Sequence, residues 1–137
     1  MALTHLLDTS VLTRLRHAAI RETIEPLAEQ GQLARAGISD LEIGYSARNA
    51  DEWDQLAEAL DAFVLVETSE DHLRRARQVQ RRLADRHQRG RKVPDLLIAA
   101  AAEHRGLAVL HYDADFDRIA AVTGQACEWV APAGSID

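Results

Sequence analysis

The chain reads as a single α/β domain built on a mostly parallel central sheet flanked by helices. Three observations predict this. Short apolar runs of strand character alternate with longer stretches whose apolar residues recur at helical spacing. The length, 137 residues, suits one domain with a sizeable core. Acidic residues stand directly after strand-like runs, and in parallel sheets the carboxyl ends of the strands are where ligands gather.

Residues 3–7, LTHLL, read as the first strand. Asp8-Thr9-Ser10 supplies helix-capping side chains before a helix near 11–17. A second helix covers 19–30 and ends at Gly31, and LARAGI (33–38) gives the next short strand. Ser39-Asp40-Leu41-Glu42 has the pattern of a capping box opening a helix to about residue 48. Asp51 starts a helix with Trp53, Leu56, Ala57 and Leu60 on one face. FVLVE (63–67) reads as a buried strand. A long arginine-rich helix follows over 69–87, with Leu73, Ala76, Val79 and Leu83 as its apolar stripe, and 88–93 is a polar, basic loop. Leu96 to Arg105 is an almost wholly apolar helix closed by Gly106 as its C-cap. LAVLHY (107–112) is a strand, Asp113 to Asp117 a turn before a short helix, and CEWVA (127–131) the last strand. Residues 1–131 thus form one domain, with 132–137 as a short, frayed C-terminal tail.

Composition narrows the chemistry. No apolar run approaches the roughly 20 residues needed to span a bilayer, and the N-terminus lacks the basic and long apolar regions of a signal peptide. The single cysteine, Cys127, has no intrachain partner, which suits a reducing cytoplasm. The net charge is −6, but its distribution is uneven. Nine of the sixteen basic residues lie between Arg74 and Lys92, against Asp85 alone, so the rest of the chain is strongly acidic. Such a segment is either a solvated helix face or a surface for a polyanion.

The acids form the candidate site. Taken singly, Asp8 is an N-cap, Glu42 belongs to a capping box, and Asp95 complements a helix dipole behind Pro94. Asp113, Asp115 and Asp117 alone would make a solvated turn. Together, acids at strand ends on one edge concentrate negative charge, which is costly without a cation. Oxygen donors of this kind suit Mg²⁺ or Mn²⁺, and metal-assisted phosphodiester hydrolysis uses such a site. Asp95 joins that edge only if its helix starts there. Other motifs fail. Asp113-Ala-Asp115-Phe-Asp117 begins like a calcium loop, but Arg118 and Gly124 stand where glycine and glutamate are required. The six histidines show no metal spacing, and Thr9 and Ser10 read first as caps, with a hydrogen bond to Asp8 or to a metal-bound water as the alternative.

In order, LLDTSVL, ISDLEIGYSAR, KVPDLLIAAAAEHRG and VLHYDADFDRIA resemble the PIN-domain ribonucleases, and among them the VapC toxins of bacterial toxin–antitoxin (VapBC) pairs. The resemblance spans about residues 3–131. It implies a three-layer PIN-like α/β fold and an endoribonuclease dependent on Mg²⁺ or Mn²⁺. It maps Asp8, Glu42, Asp95 and Asp113 as catalytic and metal-holding acids, with Asp115 as an additional metal-site acid and Asp117 beyond the pattern. It also implies a homodimer and a cognate VapB-type antitoxin, whose arginine would plug the acidic pocket. Arg86, Arg89, Arg91 and Lys92, beside Asp95, are candidates for RNA backbone contact. The alternatives are a housekeeping PIN-domain nuclease of RNA maturation without an antitoxin, a receiver-like signalling domain, and a nuclease-dead binding domain, which the presence of all four acids opposes.

Overall fold

A computed structural model of the chain describes residues 2–88 and 92–136. Five strands alternate with helices: β1 His5–Leu7, α1 Thr9–Leu12, α2 Ala18–Glu29, β2 Leu33–Ala36, α3 Gly37–Gly44, α4 Ala50–Leu60, β3 Val64–Val66, α5 Glu70–Asp85, α6 Val93–Arg105, β4 Ala108–His111, α7 Asp115–Thr123 and β5 Cys127–Trp129. All pairings are parallel and the sheet order is β3-β2-β1-β4-β5. The chain therefore lays strands outward from β1 in one direction, returns through α5 and α6, and places β4 on the other side of β1. The switch in direction falls between β1 and β4, where parallel sheets open a crevice at their carboxyl edge.

Alternation along the strands sorts the core into two layers. Leu6, Ala34, Ala36 and Val109 face α5, α6 and α7, where they meet Val79, Ile98, Phe116 and Ile119. Leu7, Leu33 and Leu110 face the other way, against Val11, Ile20, Ile24 and Leu60. A one-residue slip of β1 would exchange Leu6 and Leu7 between the layers. Each fully buried leucine is worth about 1.5–3 kcal/mol relative to exposure, so register, and with it the position of Asp8, is strongly fixed. The small, buried residues Ala99 to Ala102 let the middle of α6 lie closely packed in the first layer.

Several sequence expectations shift for local reasons. The helix expected over 11–17 is the single turn α1, starting directly on the Asp8 cap. Helix α3 begins at Gly37, two residues before the expected cap, because β2 runs into it without a loop, and its N-cap Ala36 makes no side-chain bond. Ser39 is thus inside the helix, fully buried. The strand β3 is an edge strand rather than a buried one, with Val64 and Leu65 exposed by 49% and 41%. On α5 the buried stripe is His72, Ala76, Val79 and Leu83, and Leu73 faces out. His72 fills the place because every polar atom of its ring is bonded. Its Nδ1 accepts from the Ser69 N–H at 3.2 Å, which puts the ring proton on Nε2, aimed at His104 Nδ1 at 3.1 Å. Helix α7 starts at Asp115, within the expected turn. The tail is also held. The Tyr112 hydroxyl donates to the Ile136 carbonyl at 2.6 Å and accepts from its N–H at 2.7 Å.

Helix α3, which carries Glu42, is anchored by a buried arginine. Arg35 on β2 donates to Asp40 at 2.8 Å and to the Leu60 carbonyl at 2.8 Å, and also to the Phe63 carbonyl. One guanidinium thereby joins the first turn of α3 to the end of α4 and the approach to β3.

Candidate active site

The crevice beyond β1 and β4 is a cavity of about 480 Å³ whose wall includes Asp8, Glu42, Asp95 and Asp113. Asp8 leaves β1 directly and is nearly fully buried. Its backbone N–H donates to the Leu110 carbonyl at 2.9 Å, pinning it beside β4. Its Oδ2 accepts from the Ser10 N–H at 3.0 Å and the Ser10 hydroxyl at 2.6 Å. Ser10 Oγ in turn accepts the Tyr112 N–H at 2.8 Å, so one hydroxyl ties the ends of β1 and β4 to the same carboxylate. Asp113 follows β4, and its Oδ1 accepts the Asp115 N–H at 2.9 Å while its Oδ2 accepts from Lys92 Nζ at 3.0 Å. Asp95 lies in the first turn of α6 because that helix starts at Val93, with Pro94 in the turn where no N–H is needed. It therefore reaches the strand edge.

Asp8, Asp95 and Asp113 each offer a carboxylate oxygen within 4.8 Å of the others. Burial, then the charges of Asp8 and Asp113, push Asp95 up to about 8. Burial also raises Asp8, against the opposing bonds from Ser10. For Asp113 burial pulls upward, but the Asp115 N–H and Lys92 outweigh it and hold the carboxyl below its ordinary range. Two buried oxygens, Asp8 Oδ1 and Asp95 Oδ2, have no hydrogen-bond partner among the described residues. Buried polar atoms without partners are costly and rare. Three hard anionic oxygens converging with unused lone pairs fit a divalent cation that takes oxygen ligands.

Glu42 stands at the rim. Its Oε1 accepts the Thr9 hydroxyl at 2.7 Å, and Thr9 Oγ1 lies 2.8 Å from Ser39 Oγ. Thr9 spends its proton on Glu42, so Ser39 donates to Thr9. Thr9, Ser10 and Ser39 thus position the acids instead of merely capping helices. The Ser10–Asp8 bond is local, two residues apart, and within what the sequence allowed, whereas the other partners lie 30, 33 and 102 residues away, where no local spacing signals them. Arg14 is another wall residue that the sequence reading missed. It donates to the Ser10 carbonyl at 2.8 Å and lies over the Tyr112 ring at 5.1 Å.

Of the remaining candidates, Lys92 alone among the described residues meets the cavity. Asp115 stands outside the three-acid cluster and pairs with Arg118 at 3.6 Å. Asp117 accepts from the Trp129 indole at 3.1 Å, away from the cluster. His111 is fully buried between Phe116 and Trp129, and burial lowers its pKa. Lys92 lines the cavity, whereas Arg86 caps α5, exposed and off its wall. Arg89 and Arg91 lie outside the described residues.

The PIN domain family model matches residues 5–122. Ribonuclease VapC51 of Mycobacterium tuberculosis (strain ATCC 25618 / H37Rv) is 64% identical over 137 residues, covering all of both chains. Ribonuclease VapC21 of Mycobacterium tuberculosis (strain CDC 1551 / Oshkosh) is 46% identical, covering 98% of this chain and 99% of its own. Among solved structures, DNA-bound VapBC from Salmonella typhimurium superposes with a TM-score of 0.80 at 20% identity, over 94% of this chain and 99% of that one, a likeness of fold. VapBC-5 from Mycobacterium tuberculosis gives 0.61 at 27% identity over 93% and 96%. The chain belongs to the PIN-domain family, in its VapC group. A receiver-like domain is thereby overturned. No helix among the described residues is long and apolar enough to cross a membrane.

Proposed function

We propose that the protein is an endoribonuclease, the toxin of a toxin–antitoxin pair, that hydrolyses RNA phosphodiester bonds with Mg²⁺ or Mn²⁺. The observation that carries this reading is the convergence of Asp8, Asp95 and Asp113 within 4.8 Å, with two buried oxygens left unbonded among the described residues. Its relatives are ribonucleases by name. Asp8, Asp95 and Asp113 hold the cation, and Glu42, fixed by Thr9, serves as a fourth acid at the rim. Asp115 supports the site through its backbone N–H on Asp113. A cation bound there supplies Lewis acidity to the phosphoryl oxygen and acidifies the attacking water. Ser10 holds Asp8 in place, and Arg14 and Lys92 supply positive charge on the cavity wall for phosphate oxygens.

The reading carries with it a cytoplasmic protein, a homodimer and a VapB-type antitoxin as partner. The α3 surface beside Glu42 favours a protein partner, since Leu41 and Tyr45 are exposed by 67% and 93%. A basic side chain of that partner would neutralise the acids.

The test is cleavage of total bacterial RNA by purified protein with Mn²⁺, with Mg²⁺ and with EDTA. Discrete fragments that require the metal are expected, and cleavage that survives EDTA would sink the reading. The basic face of α5 gives a further prediction. Arg77 and Arg81 line one face and are exposed with no acidic partner among the described residues. If RNA runs along this face, replacing both by glutamine lowers the slope of log affinity against log salt by about 1–2, at roughly 0.7–0.9 per phosphate contact. An unchanged slope places the RNA elsewhere.

A further inference from the structure

Lys92 is the only lysine of the chain, and its position is unusual for a surface cation. It is the N-cap of α6, and its backbone carbonyl accepts from the Asp95 N–H at 3.1 Å. The side chain therefore springs from the turn that fixes one acid and bends across the cavity mouth to another. Its ammonium sits 3.0 Å from Asp113 Oδ2. The other Asp113 oxygen already accepts the Asp115 N–H, and a cation that takes Oδ2 competes directly with Lys92.

We propose that Lys92 is a built-in counter-ion of the acid cluster, one that an entering divalent cation displaces from Asp113, releasing the ammonium toward the phosphates of the substrate. This rests on the metal-dependent reading of the site. The energetics favour such an exchange. The lysine side chain is 62% exposed, so water screens the ion pair and holds it weakly. A divalent cation among three carboxylates gains far more at the same distances. The residue type suits the role. An ammonium on a flexible stem is a mobile point charge, whereas an arginine here would grip Asp113 through two parallel bonds. The released charge has one nearby use, since Arg14 already stands on the cavity wall and a substrate phosphate entering between them would be held from both sides.

Calorimetric titration of the purified protein with Mn²⁺ tests this, with the wild type, Lys92→Met, Lys92→Arg and Asp8→Asn side by side. Methionine keeps the stem and removes the charge, so Lys92→Met should bind Mn²⁺ about five- to tenfold more tightly, the scale of one unit charge at a partly exposed site. Lys92→Arg keeps the charge and grips Asp113 through two bonds, so it should bind Mn²⁺ more weakly than wild type. At saturating Mn²⁺, Lys92→Met should raise KM for RNA more than it lowers kcat. Opposite signs, tighter metal and weaker substrate, are not produced by a damaged fold, which weakens both. Unchanged or weaker Mn²⁺ binding in Lys92→Met overturns the proposal. A wild type that takes up no more Mn²⁺ than Asp8→Asn overturns both the proposal and the metal-site reading. Mn²⁺ uptake without cleavage of any RNA sinks the nuclease alone, because the competition is decided by the titration.

Discussion

Asp95→Asn is expected to lose metal-dependent cleavage by about 10²–10³-fold or more, at least the scale for removing one preorganised hydrogen-bond donor from a transition state, while making the metal-free protein more stable. Both effects follow from one feature. Asp95 is buried beside Asp8 and Asp113, and its pKa is pushed up to about 8 by burial first and by those two charges second. The folded protein therefore keeps a proton on Asp95 that the unfolded chain has already released. Where the folded state binds more protons, stability falls as pH rises, here by at most about 1.4 kcal/mol per pH unit between the unfolded value and about 8. His72 and His111 have the opposite sign. Burial lowers both, so their contribution is lost as pH falls below about 6.5. The interval from about pH 6.5 to 8 lies above the two histidine contributions, and Asp95 titrates within it. In EDTA, the wild-type melting temperature should fall across this interval and the Asp95→Asn profile should be flatter. Metal affinity should rise across it, because binding requires the carboxylate. Thermal melts and single-turnover cleavage of both proteins check this. A mutant that cleaves at the wild-type rate would remove Asp95 from the site, and parallel melting profiles would show that its proton is not linked to folding.

Asp8 and Asp113 were legible in the sequence because each ends a strand, and the strands were signalled by apolar runs between turn residues. Asp95 was legible only as an ambiguity. Its charge could complement a helix dipole or face a pocket, and the position of the first turn decides between them. Starting α6 at Val93 instead of at Leu96 brings Asp95 to the strand edge. Glu42 became a candidate by its place after a strand-like run and by the family resemblance, while its spacing from Ser39 offered only a capping box. That capping box does not form, because α3 begins at Gly37 and Ser39 turns inward to Thr9. A rule that looks for a hydroxyl cap cannot see a helix whose cap is Ala36. The exposure of β3 was hidden because its apolar run is the same whether the strand is central or at an edge. Sheet order depends on how helices cover the faces, and nothing within five residues encodes that. The arginine-rich segment was plain as a charge pattern, but which of its members meet the cavity depends on where the loop before α6 turns, and of the four named candidates the structure puts Lys92 on the wall.

Ser10→Ala tests whether the acids must be held as well as present. The Ser10 hydroxyl donates to Asp8 Oδ2 at 2.6 Å and accepts from the Tyr112 N–H at 2.8 Å. Alanine removes both bonds at once. Asp8 keeps the Ser10 backbone N–H at 3.0 Å, so its carboxylate stays in the crevice but gains freedom to turn. The Tyr112 N–H is left in a half-buried position without its partner, at a cost of about 1–3 kcal/mol. Residues that orient metal ligands typically cost 10–100-fold in metal affinity or activity when removed, and Ser10→Ala should fall in about that range. The urea midpoint reads the first effect, and Mn²⁺ titration with cleavage at saturating metal reads the second. Ser10→Thr supplies the control, since its hydroxyl can make the same two bonds and should recover most of both. If Ser10→Ala lowers stability but binds Mn²⁺ and cleaves as wild type does, Ser10 is a strand clasp alone, and burial between β1 and β4 suffices to aim Asp8. If metal affinity falls while Thr restores it, the aim of Asp8 depends on a hydroxyl two residues along the chain, and the short strand β1 and the single turn α1 are the lever that delivers it.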